Sequence, residues 1–181
     1  ICIDTIHRSG EAFMAAQGID KGHKQVLGFW QGATENHELG ELLLSDMEIR
    51  GLSLSKKILW ITDGGRGIIK TLKDRFGKKL LHQWCTIHKD RNIQRHRAKK
   101  YRKEVHRCFK IALEQNTYED AYRILKDVER WLRGINESAA DSLLEAFEDI
   151  FTLHRLNVSV LLRKTLTSTN PIEGMFSTVR D

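Results

Sequence analysis

Proline occurs once and cysteine three times in 181 residues, and no apolar run approaches membrane-spanning length. Each scarcity excludes something. Cys2, Cys85 and Cys108 are sparse and odd in number, which argues against a disulfide framework and for a reducing, cytoplasmic setting. A membrane span requires roughly 20 consecutive apolar residues, and none is present. The opening stretch, ICIDTIHRSG, has neither a basic n-region nor a cleavage site, so no export is expected. There is no internal repeat and no low-complexity tract. Ile1 opens in strand-like sequence and Asp181 closes in helix-like sequence, which predicts a segment of something longer. At 21.0 kDa the chain suffices for one domain carrying a sizeable insertion.

What is present is positive charge, and it is concentrated. The formal net charge is +6 and the pI about 9.3. Between Lys89 and Lys110 ten Lys or Arg stand against Asp90 and Glu104, a local +8 that leaves −2 for the remainder. This distribution points to a polyanionic partner, against the plainer reading of a solvated helix face.

Along the chain the apolar period changes once. ICIDTI, EAFMAAQGI and KQVLGFWQG, separated by SG and DKG turn signals, predict three strands in an antiparallel meander. A helix is expected from Asn36, burying Leu39, Leu42, Leu43, Met47 and Ile49 and ending before Gly51. KILWIT reads as a strand buried on both faces. It stops at Asp63, where Gly64 and Gly65 allow a tight turn into a helix over 66–76. KLLHQW is expected as a fifth strand. From Ile87 onward the period is helical. Tyr118, Ala121, Tyr122, Leu125, Val128 and Leu132 form one stripe between Thr117 and Gly134. Leu143, Leu144, Phe147, Ile150 and Phe151 form a second after Ser138. The expected organisation is an α/β core over 1–86, a partly basic helical insertion over 87–166, and a returning core helix over 167–181.

Two aspartates occupy awkward places. Asp4 interrupts an apolar strand, and Asp63 lies at the carboxyl end of another, where open sheets place ligands. Neighbouring carboxylates in a low dielectric repel, and a proton or a cation relieves them. Mg²⁺ prefers hard oxygen ligands and retains waters, so two or three carboxylates suit it. Each residue also has a plainer explanation. Asp63 before Gly-Gly is a turn former, Asp4 fits an exposed strand edge, and Asn170, Pro171 and Glu173 compose a capping box.

Four segments carry a resemblance: KQVLGFWQGATEN at 24–36, ITDGGRGI at 61–68, QWCTIHKDRN at 83–92 and STNPIEGMFSTVR at 168–180. In this order they resemble the Mutator-type transposases of bacterial insertion sequences over nearly the whole chain. The resemblance implies a ribonuclease H-like fold, a mixed five-stranded sheet flanked by helices, with an all-helical insertion before the last catalytic helix. It implies a DDE triad of Asp4, Asp63 and Glu173, both catalytic and metal-binding, with Mg²⁺ as cofactor and Mn²⁺ as substitute. It implies strand cleavage and transfer at transposon ends by in-line attack on phosphodiesters, through two ions roughly 4 Å apart with Asp4 between them. No covalent enzyme intermediate is required. The partners implied are DNA, as transposon ends and target, and further copies of the chain on it, in a nucleoid setting without membrane. Thr5 departs from the glycine common in relatives, and end recognition in the family lies largely outside this core.

Cys85-Thr86-Ile87-His88 matches the family's Cys-x-x-His signature. Its spacing is half a zinc site, with His96 and Cys108 as a conceivable other half. Those two stand far apart on one expected helix, so Cys85 is read as a buried thiol. His88 is read as contacting DNA phosphate or steadying the metal site. Arg91, Arg95, Arg97, Lys99, Lys100, Arg102 and Lys103 spread around the helix, which suits backbone phosphates better than base edges. Trp84 and Trp131 fit core positions better than base-stacking ones. Two other readings stay open: an inactive nucleic-acid-binding module derived from a transposase, and another ribonuclease H-like nuclease such as a junction resolvase.

Overall fold

The computed structural model describes residues 1–95 and 101–179. In chain order the elements are β1 (Cys2–Arg8), β2 (Glu11–Asp20), β3 (His23–Gly32), α1 (His37–Ile49), β4 (Leu59–Thr62), α2 (Arg66–Phe76) and β5 (Leu81–Trp84). Then follow α3 (Thr86–Arg95), α4 (Arg102–Glu114), α5 (Tyr118–Arg133), α6 (Glu137–Glu145), α7 (Phe147–Ile150), α8 (Thr152–Arg155), α9 (Val160–Leu166) and α10 (Asn170–Val179). They form two compact units, Ile1–His82 with Ser168–Asp181, and Gln83–Thr167.

The first unit is built on a five-stranded mixed sheet of order β3-β2-β1-β4-β5. β1, β2 and β3 pair antiparallel, while β4 runs parallel to β1. The two hairpin turns, Ser9-Gly10 and Lys21-Gly22, have positive φ at both residues. That backbone matches the right-handed strand twist and closes a hairpin with two residues. Strand alternation then sorts the side chains. Ile3, Ala12, Met14 and Ala16 face a core shared with Leu39, Leu43, Leu44 and Met47 of α1 and Ile68 and Leu72 of α2. Asp4, next to Ile3, therefore projects from the opposite face. α10, with Ile172 and Phe176 buried, packs against β1 and β2 on that face.

Leu42 and Ile49 are exposed and Leu44 is buried instead, because the sheet meets α1 along the row of Leu39, Leu43 and Met47. α10 starts at Asn170 rather than after it: the Thr169 carbonyl accepts from the Glu173 N–H at 3.0 Å. Glu173 consequently lies one position deeper than a capping-box residue, and the Thr169 hydroxyl donates to its carboxylate at 3.3 Å.

The second unit is helical. Thr117 caps α5, its hydroxyl accepting from the Asp120 N–H at 3.1 Å, and Ala121, Leu125, Val128 and Leu132 form the buried stripe. Asn136 caps the next helix, and the expected continuous stripe breaks into α6, α7 and α8. Leu144 is correspondingly exposed. Gln83 is fully buried and satisfied. Its amide donates to the carbonyls of Trp84 and Ile150, and its oxygen accepts from the Leu153 N–H at 3.2 Å. Trp84 is core, and the ammonium of buried Lys89 lies 3.8 Å from its ring centroid. Trp131 is more than a third exposed, with Tyr101 edge-on to it. Among the described residues no helix is long and apolar enough to cross a membrane.

Candidate metal centre

β1, β3 and β4 all point the same way, so their carboxyl ends share one edge of the sheet. The parallel register pairs Cys2 with Ile61 and Ile3 with Thr62. The next residues on the two strands are Asp4 and Asp63. Asp4 is 5% exposed, and its Oδ1 accepts from the Thr5 N–H at 2.8 Å. Thr5 continues β1 in regular pairing, so the family's usual glycine is not needed for this register. Asp63 is half-buried, and its Oδ1 accepts from the Gly65 N–H at 3.1 Å, tying the turn into α2.

Glu173 is carried in the first turns of α10 on the Asp4 face. Carboxylate oxygens of Asp4 and Glu173 lie within 4.8 Å of one another, although the two residues are distant in sequence. Asp63 does not lie within that distance of both.

A fourth carboxylate, which the sequence reading missed, belongs to this neighbourhood. Glu35 follows the carboxyl end of β3 and immediately precedes Asn36, the cap of α1. Its side chain is 18% exposed and its Oε1 is buried without a hydrogen-bond partner among the described residues. His7 Nε2 approaches the other oxygen to 3.9 Å. Burial, then the charges of Asp63 and Asp4, push its carboxyl up to about 7. Gly65 makes room for it: a Cβ there would overlap Oε1. The sequence signal that selected Asp63, a carboxylate just past the end of a strand, applies equally to Glu35.

In the helical unit, Cys85 is fully buried, with its sulfur 3.3 Å from His88 Nδ1. Cys108 instead donates to Glu104 at 3.5 Å, and His96 lies outside the described residues. Among the described residues no group of three or more metal-competent side chains includes a cysteine. Of the proposed phosphate contacts, Arg91, Arg95 and Lys103 are exposed and Arg102 is half-buried. Arg97, Lys99 and Lys100 lie outside the described residues. Lys89, counted in the positive run, is 1% exposed and donates to the Ser142 carbonyl at 3.0 Å, so it is absorbed by packing.

These features define an α/β protein with an acidic site on one face of its sheet, beside the carboxyl end of β4. Residues 4–181 match the family described as Transposase, Mutator family, and the chain belongs to that family. No curated protein matches the chain. Membership makes it a transposase, of a kind that binds DNA, cuts and rejoins it, and generally uses a divalent metal.

Proposed function

We propose that this chain is a ribonuclease H-like DDE core that holds Mg²⁺ on Asp4, Asp63 and Glu173 and carries out strand cleavage and strand transfer at transposon ends. The observation that carries the reading is the approach of the Asp4 and Glu173 carboxylates on a sheet face next to Asp63. The strand order β3-β2-β1-β4-β5, with α10 returning after the helical unit, fits that fold and its helical insertion. The donor set also fits a hard cation. Asp4, Asp63, Glu173 and Glu35 of the first unit all offer carboxylate oxygens, and Glu35 Oε1 is buried with no hydrogen-bond partner among the described residues.

When bound, Mg²⁺ supplies a Lewis acid for phosphoryl oxygen and offsets the repulsion among the acids. The protein's contribution is placement. Adjacent strands fix Asp4 and Asp63, and the Thr169 hydroxyl steadies Glu173. Burial excludes water around Asp4, which strengthens charge interactions there. Glu35 holds a proton near neutral pH beside these groups.

The test uses supercoiled DNA with Mg²⁺ or Mn²⁺, and follows nicking and ion binding separately. Asp63→Asn, Asp4→Asn and Glu173→Gln should each lower metal-dependent nicking by about 10³-fold, equivalent to several kcal/mol of lost transition-state stabilisation. Duplex binding should survive. Nicking retained by any of the three variants overturns that residue's assignment, and absence of saturable Mn²⁺ binding overturns the whole reading in favour of a binding module. Cleavage confined to RNA–DNA hybrids would favour a ribonuclease H-type nuclease.

A further inference from the structure

The face of the sheet that carries Asp4 also carries a pair of stacked phenylalanines. Asp4 is directly opposite Ala15, and Ala15 is directly opposite Phe29. Opposed residues in antiparallel strands share a face, and strands are about 4.8 Å apart, so Phe29 stands about 10 Å to the side of Asp4. Phe13, two residues before Ala15, stacks on Phe29 with centroids 5.7 Å apart and planes 25° from parallel. Phe29 is 53% exposed, so the ring is backed on one side and open on the other.

We propose that Phe29, backed by Phe13, is a stacking platform for one unpaired DNA base close to the phosphate at the carboxylates. The proposal rests on the metal-site reading above. About 10 Å is the reach of a nucleotide or two from a phosphate at Asp4. A base inside a duplex has both faces covered by its neighbours, so an open aromatic ring recognises one that has left the stack. The surrounding charge suits a strand. By alternation Arg8 and Lys24, both exposed, lie on this same face at its two ends. Glu11, the acid opposite Arg8, is engaged by the Gln31 amide. A flat ring contact is indifferent to base identity.

The experiment uses short single strands bearing 5-iododeoxyuridine at successive positions, irradiated with the full chain in EDTA so that no cleavage intervenes. The cross-link should map to Phe29. Phe29→Trp should keep single-strand affinity, whereas Phe29→Leu, which keeps apolar bulk and removes the ring, should weaken it about 5- to 100-fold. Duplex affinity should be nearly unchanged in both. Thermal melting confirms that each variant is folded. Wild-type single-strand affinity in Phe29→Leu overturns the proposal, as does cross-linking only elsewhere. So does a Leu variant whose defect is in self-association rather than in DNA binding. None of these measurements depends on nicking, so failure of the metal-site reading is seen separately.

Discussion

Glu35 ties the charge of the site to pH in the neutral range. An unfolded chain releases that proton near the ordinary value of 4.5, while the folded protein retains it to about 7. Between those values the folded state binds more protons, so its stability falls as pH rises from about 4.5 to about 7 and is level above. Glu35→Gln keeps the shape and removes the charge. Thermal melts without divalent ion should show the variant gaining on the parent across that window, with the difference flat at higher pH. A difference independent of pH would place the cause elsewhere. Gly65→Ala should give the same loss of pH dependence by another route, since its Cβ would displace the Glu35 carboxylate. The obstructed group is the far end of a flexible side chain, so the fold should tolerate that substitution.

The helix α1 is where local sequence reaches the site. Asn36 accepts from the Leu39 N–H at 2.9 Å and fixes the chain direction directly after Glu35. Asn36→Ala should cost about 1 kcal/mol in denaturant melts, the usual loss for a helix cap, and should loosen Glu35. An unchanged denaturation midpoint would mean that tertiary packing, not the cap, holds this end. The cap was legible in the sequence, as were the strand periods, the Ser9-Gly10 turn and the stop of β4 at Asp63, because each is a local pattern. Other features needed the third dimension. Thr169 and Asn170 are both capping residues, and only the hydrogen bonds decide which one opens α10. No proline or glycine marks the breaks among α6, α7 and α8, which leave buried Gln83 bonded to Ile150 and Leu153. The position of Glu35 just past a strand was legible, but its raised carboxyl was not, because that comes from burial and from Asp63 and Asp4.

At the scale of the whole chain, the net charge of +6 overstates neither the attraction to DNA nor its location, but it does not say which cations are free to act. Lys89 is buried against Trp84, and Arg107 is paired with Glu104 at 2.6 Å. Arg91, Arg95 and Lys103 remain exposed on α3 and α4. Each phosphate neutralised releases condensed counterions, and log affinity for duplex DNA falls with log salt by about 0.9 per contact. If these three cations engage phosphate, replacing all of them by alanine should make the slope shallower by about 2.7 and weaken binding alike for all sequences. The measurement is duplex affinity at a series of salt concentrations with the carboxylates intact. An unchanged slope would remove these residues from the interface. A loss confined to one sequence would instead make them readers of base edges, which backbone phosphates cannot explain.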